Sequence, residues 1–307
     1  MSDTAITMMP NPVRTSSVEN PADILGFAIE AAQHSGAALA TLVEIRGGAA
    51  RALGAHVAVA SDGRFCGYVS GGCVEAAVAA EALQAITDGR DRMVKFGEGS
   101  PFFDITLPCG GGITIAIHVL RSTDVLDDTL KELACRRSVA LAYRPELQRL
   151  IPLDKVPLRP GWRGKDFISV YRPKTRVVIS GQVGEAEAVR RLAEASGYVV
   201  DVVDPKATSQ TIAIDAFTAV ALLHHDLDLE EILLIKALAS PAFYIGAMGS
   251  TRTHRRRIDR LQSIGVSSEA FDRIKAPIGL FGPTRESASL ALSVLADIAA
   301  ARLENFG

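Results

Sequence analysis

The stretch Arg176-Val177-Val178-Ile179-Ser180-Gly181-Gln182-Val183-Gly184-Glu185-Ala186 sets an apolar run against a glycine turn, and a helical pattern then continues to Ser196. Asp204 follows about twenty residues after the turn, the spacing at which a dinucleotide-binding βα unit places its ribose-contacting acid. The glycine pattern is incomplete. Val183 stands where a second glycine would let backbone approach a pyrophosphate, and Glu185 puts negative charge at the helix start. The fold signal survives these losses, whereas NAD(P) is not the expected ligand. Outward from this turn, Val199–Val203, Thr218–Leu223 and Phe243–Ile245 are short apolar runs separated by helical patterns at Glu185–Ser196 and Leu227–Ser240. Strands alternating with helices at this spacing predict a parallel sheet, hence a Rossmann-like C-terminal domain over 175–307.

The preceding half reads differently. A helix is predicted over Asp23–His34, stopped at Gly36, followed by strands at Leu39–Ile45, His56–Ala60 and Arg64–Val69. Asp62-Gly63 between the last two is a hairpin signal. Cys73–Thr87 reads as an alanine-rich helix ended by Gly89, with strands at Met93–Phe96, Phe103–Thr106 and Ile113–Leu120 and a helix at Asp124–Cys135. This predicts a mixed α+β domain over 21–144, preceded by a disordered tail over 1–20 that Pro10 and Pro12 interrupt. Residues 145–174, with five prolines and the sole tryptophan, read as a linker holding at most one short strand.

Composition narrows the function. In 307 residues, 48% are hydrophobic and 6% aromatic, which fits an α/β protein, and the net charge of −2 gives no reason to expect nucleic acid as a partner. The N-terminus lacks the charged and apolar regions of a secretory signal, and no apolar run is long enough to span a bilayer. A cytoplasmic protein without membrane attachment is expected, its four cysteines reduced.

Two of those cysteines are flanked by glycine: Ser70-Gly71-Gly72-Cys73-Val74-Glu75 and Cys109-Gly110-Gly111-Gly112. A Gly-Gly step lets main-chain N–H groups crowd a ligand, and a cysteine at a helix start is placed to act as a thiolate. Cys73 is therefore a candidate nucleophile or soft metal ligand, against the alternative of a small buried cysteine. Glu75 either handles a ligand proton or favours the helix start. Cys109 lies on a similar loop, but the separation from Cys73 and the lack of further ligands argue against structural zinc. Cys66 and Cys135 read as packing residues. In the C-terminal half, His225 and Asp226 end the strand Thr218–Leu223, at the edge where open α/β sheets bind ligands, though Asp226 equally suits a helix cap. Gly246-Ala247-Met248-Gly249-Ser250 leads into a helix whose start, with Ser250 and Arg252, suits a phosphate.

Taken together these pieces resemble the xanthine dehydrogenase accessory protein family, XdhC/CoxI. The resemblance runs through Arg51-Ala52-Leu53-Gly54-Ala55, the Gly-Gly-Cys-Val-Glu piece, Cys109-Gly110-Gly111, Asp204-Pro205, His225-Asp226, Gly246–Ser250 and Ala276-Pro277-Ile278-Gly279-Leu280. It implies binding of molybdenum cofactor, a pterin dithiolene carrying a phosphate, and its delivery after an oxo ligand is replaced by sulfur. The implied partners are an apo molybdenum hydroxylase, a cysteine desulfurase supplying the sulfur, and a second copy of the chain. The implied cofactor-binding set is Cys73, Cys109, Gly71, Gly72, Glu75, Arg51, Gly110, Gly111, His225, Asp226, Ser250 and Arg252, with Cys73 nearest the metal. Such a protein turns over no substrate by itself. The chain departs from the family pattern at Val183-Gly184-Glu185, at Phe281 in place of an aspartate, and at Ala288-Ser289 in place of a Glu-Glu pair. The alternative reading is a nucleotide-dependent oxidoreductase working through Gly181 and Asp204.

Overall fold

The computed structural model describes residues 10–98, 100, 110–205 and 212–306. The chain divides into two compact units, Met1–Arg172 and Pro173–Gly307.

In the first unit the elements run β1 (Val13–Ser16), α1 (Pro21–His34), β2 (Ala37–Arg46), β3 (His56–Ala60), β4 (Arg64–Gly67), α2 (Glu75–Asp88), β5 (Arg92–Gly97), β6 (Gly112–Val119), α3 (Asp124–Ala134), β7 (Val139–Arg144), β8 (Arg149–Leu153), β9 (Gly161–Arg163) and β10 (Asp166–Tyr171). A six-stranded sheet has the order β1-β4-β3-β2-β6-β5. One face packs on α2 through Val78, Ala79, Ala82 and Leu83, and the other on α1 and α3 through Leu25, Ala28 and Leu126. Cover on both faces explains why β2 and β3 are nearly continuous apolar runs instead of alternating ones. The predicted helices and strands from α1 to α3 are present, apart from Phe103–Thr106, which lies outside the described residues.

Two expectations are corrected. The 145–174 stretch is not a linker: β8, β9 and β10 join β7 in a second sheet of order β8-β7-β10-β9. Its prolines misled because Pro152 sits in the edge strand β8, where a missing donor is tolerated, and the Trp162 indole donates to the Val43 carbonyl at 3.0 Å. Nor is 1–20 wholly a tail, since β1 pairs in parallel with β4 at the sheet edge. Between the sheets, the His56 ring lies 3.0 Å from the Thr41 hydroxyl on one nitrogen and 3.0 Å from the Tyr171 hydroxyl on the other.

The second unit comprises β11 (Arg176–Gly181), α4 (Val183–Ala195), β12 (Val199–Val202), β13 (Thr218–Leu223), α5 (Leu227–Leu238), β14 (Tyr244–Ala247), α6 (Thr251–Ser263), a 3-10 turn (Ser268–Arg273), β15 (Ile274–Lys275) and α7 (Ser287–Phe306). Its five strands are all parallel in the order β12-β11-β13-β14-β15. Helices α4 and α7 cover one face through Val189, Val294 and Ile298, and α5 and α6 the other through Leu233, Leu234 and Leu261. This is the doubly wound Rossmann-like arrangement. A buried ion pair joins α5 to α6: the Arg257 guanidinium donates through both Nε and Nη to Glu230, and Nη2 also donates to the Met248 carbonyl at 2.7 Å.

Two outcomes are expected. Truncating Glu230 to alanine leaves Arg257 charged and buried, so chemical denaturation of the variant should show a loss of about 3–5 kcal/mol, with an Arg257→Met, Glu230→Leu double variant recovering much of it. Burial holds His56 down to about 4 against an ordinary 6.5, so the unfolded chain takes up a proton that the folded chain refuses. The contribution is whole above pH 6.5 and is lost as pH falls towards 4, on the order of 3 kcal/mol in all. Denaturation midpoints across that window should fall steeply for the wild type and more gently for His56→Gln.

Candidate functional site

Antiparallel pairing in the first sheet brings the loops after β2 and β4 and the loop before β6 to one end. Arg46 at the end of β2 faces Gly112 at the start of β6, and Gly67 at the end of β4 faces Val57 at the start of β3. The glycines let these loops touch. A Cβ on Gly111 would lie 2.5 Å from the carbonyl oxygens of Arg46 and Gly48, and one on Gly71 would lie 3.3 Å from the Ala50 Cβ. Gly71, Gly72 and Gly110 all have positive φ, and Gly72 and Gly110 face open space. The two glycine-flanked cysteine segments therefore belong to one loop cluster, although Cys109 itself lies outside the described residues.

A residue singled out in the sequence for ligand contact has another task. Glu75 is 1% exposed, and its carboxylate accepts from the amides of Val69 (3.0 Å), Ser70 (2.8 Å) and Gly71 (3.1 Å) and from the Ser70 hydroxyl. Burial alone would raise the carboxyl, but the Ser70 and Val69 hydrogen bonds outweigh it and hold Glu75 below its ordinary value. Glu75 is thus a clamp that shapes the Ser70–Cys73 loop, not a ligand-facing acid. The helix start also differs from expectation. Val74 is the cap residue and α2 begins at Glu75, so Cys73 precedes the helix and its exposed thiol sits on the loop itself. Cys66, by contrast, is buried, and burial pushes its thiol up to about 11.

Arg51 donates to both carboxylate oxygens of Glu19, at 3.2 and 2.5 Å, and lies over the Tyr68 ring at 5.1 Å. Sequence reading missed Arg46, whose guanidinium donates to the Glu98 carbonyl at 3.0 Å, the Glu44 carboxylate at 2.7 Å and the Thr114 hydroxyl at 2.8 Å, bracing the strands beside Gly112. Its place directly before Gly47-Gly48 was the available signal.

The second unit offers a separate set at the carboxyl edge of its parallel sheet. Gly181 is needed for packing, because a Cβ there would lie 2.5 Å from the Leu223 Cβ of the adjacent strand. That requirement accounts for the glycine without a nucleotide, and Val183 beside it is 86% exposed. His224 is buried, 2.8 Å from the Ser180 hydroxyl, and burial lowers its pKa against the opposing pull of Asp226. Asp226 proves to be the cap of α5, accepting from the Asp228 amide at 3.0 Å. His225 is exposed and borders two clefts, one of about 470 Å³ with Gln182, Arg256 and Arg260, the other of about 970 Å³ with Ser250, Lys275 and the 276–287 segment. Ser250 caps α6 by accepting from the Thr253 amide at 3.3 Å, and Arg252 is exposed on the first turn. The wall of the larger cleft is pinned from α7: Asp297 accepts from the Tyr244 hydroxyl and the Gly279 amide, and Ser293 accepts from the Phe281 amide. Among the described residues no group of three or more His, Cys, Asp or Glu side chains is arranged to hold a metal ion, and no helix is long and apolar enough to cross a membrane.

Residues 177–298 match the XdhC Rossmann domain and residues 31–97 match the XdhC and CoxI family. The chain is 50% identical over 281 residues, 91% of its length and 88% of the relative's, to the molybdenum cofactor insertion chaperone PaoD of Escherichia coli strain K12. It is 26% identical over 268 residues to an uncharacterized protein of the same organism, YqeB, of which it spans 42%. A solved chain from Bacillus halodurans, described as a xanthine dehydrogenase, shares the fold with a TM-score of 0.72 at 18% identity, covering 93% of this chain and 96% of that one.

Replacing Glu75 by alanine removes the acceptor for the loop amides of Val69, Ser70 and Gly71. Hydrogen exchange at Val69, Ser70 and Gly71 should accelerate by at least tenfold, with about 2–3 kcal/mol lost from global stability.

Proposed function

Because the chain belongs to the XdhC and CoxI family, we propose that it binds molybdenum cofactor as cargo, holds it while an oxo ligand is exchanged for sulfur, and hands it to an apo molybdenum hydroxylase. The observation that carries this reading is the glycine-lined loop cluster that presents the exposed Cys73 thiol on a backbone clamped by Glu75. A thiolate is a soft donor suited to molybdenum. Gly72 and Gly110, with open space beside them, leave main-chain groups free for the polar edge of a pterin, Gly71 and Gly111 let the loops that carry them come together, and Arg51 supplies positive charge for its phosphate. Cys109 is proposed as the second thiol of the site. The name of the half-identical relative supports the role in insertion.

The second unit carries His225, Ser250 and Arg252 at its own sheet edge, where a polar group of a partner would bind, while Asp226 fixes the start of α5. In this reading a cysteine desulfurase supplies the sulfur, the protein works in the cytoplasm as a homodimer, and it is not itself an enzyme. Neither nucleic acid nor membrane is a partner, and the alternative of a nucleotide-dependent oxidoreductase predicts saturable NAD(P) binding.

The test is retention of cargo. Protein incubated with purified cofactor and passed through a desalting column should carry pterin, measured by fluorescence after oxidation, and Cys73→Ser should retain at least tenfold less. Equal retention by the two would remove Cys73 from the site, and retention by neither would remove the cargo.

A further inference from the structure

Arg51 is held by a carboxylate that the chain supplies itself. Glu19 lies between β1 and α1, in a short segment fixed on one side by Val18, packed against the core, and on the other by Asn20, whose side chain caps α1 by accepting from the Ala22 amide at 2.9 Å. From there its two oxygens take the Nη1 and Nη2 donors of Arg51. The Arg51 Nε is buried and makes no hydrogen bond, so the Nη1–Nη2 edge that Glu19 occupies is the one open to a ligand. Ala50 touches the Gly71 turn and Arg51 lies over Tyr68, so the ion pair sits at the border of the glycine-lined cluster.

We infer that Arg51 is an anion site for a phosphate monoester dianion and that the Glu19 carboxylate occupies it at rest as an internal competitor. The inference rests on the proposed cargo role only in naming where such a phosphate would come from. Two features carry it. The pairing is bidentate, the geometry in which a guanidinium holds carboxylate and phosphate interchangeably. Second, the Glu19 side chain is 59% exposed and that of Arg51 30%, and an ion pair so open to water is weak enough for a dianion to displace. Tethering lets Glu19 return when the anion leaves, which prevents the site from presenting a bare cation at the border of the glycine-lined cluster.

The test uses the full chain and two probes. Inorganic phosphate, titrated by phosphorus NMR, should bind Glu19→Gln roughly threefold more tightly than wild type, the scale of an exposed ion pair. Arg51→Gln should lose that binding. Glu30→Gln, the same charge change at an exposed site on α1, should match wild type. Affinity of Glu19→Gln equal to or weaker than wild type, or matched by Glu30→Gln, overturns the inference. Purified molybdenum cofactor is the second probe. Greater retention by Glu19→Gln identifies the pterin phosphate as the anion. If no variant retains cofactor but phosphate still follows Glu19, the cargo reading fails and the site stands for free phosphate. If cofactor is retained equally by all and phosphate ignores Glu19, the cargo reading stands and the internal competitor does not exist.

Discussion

The buried Glu75 carboxylate organises the end of the first sheet on which everything else in that unit depends. The turn it encloses contains two successive positive-φ glycines, a backbone that in isolation samples many conformations. By accepting from the amides of Val69, Ser70 and Gly71, the carboxylate removes that freedom and satisfies donors that would otherwise be buried and unpaired. A flexible loop becomes a fixed one without filling the space beside it, because the clamp acts from the protein side. Glycine is then free to leave the outer side open. The exposed thiol of Cys73 thus stands on a rigid support although neither it nor its glycines pack against much.

The second unit reaches a similar end by other means. There the loop from Pro277 to Phe281 is fixed by side chains in the interior of α7, and the turn before α6 is fixed through the Met248 carbonyl by Arg257. Arg257 is costly to bury, and Glu230 offsets that cost. In both units, then, a charged or polar group within a helix dictates the path of a neighbouring loop. The turn after β11 is shaped by close packing between strands. Here Gly181 yields to Leu223.

Much of this was legible in the sequence where one physical signal dominated. The apolar runs at 176–181 and 218–223 and the helices between them announced a parallel sheet, because strands buried on both faces have no alternation to hide. The 145–174 stretch was not legible. Its strands are short and lie partly at sheet edges, and prolines there look the same as prolines in a linker. At the site, the glycines and Cys73 could be found from local spacing. The clamp role of Glu75 could not, since a glutamate at a helix start serves the dipole equally well from outside. Glu19 carried no local signal and Arg46 only its place before Gly47-Gly48; their roles stayed hidden because their partners lie 32 and 52 residues away, Arg51 for Glu19 and Glu98 for Arg46, and only tertiary structure brings them together.

The hydroxyl of Tyr171 on the ring of His56 joins residues 115 positions apart in sequence, across the later two thirds of the first unit. Tyr171 is the last residue of the last strand, one position before the unit ends. During vectorial synthesis β2 and β3 leave the ribosome long before β10, and until β10 docks the His56 imidazole has no partner on that side and its surroundings remain open to water. Closure of this core therefore waits on emergence of the chain through residue 171, so the unit that carries Cys73 cannot mature ahead of its own final strand.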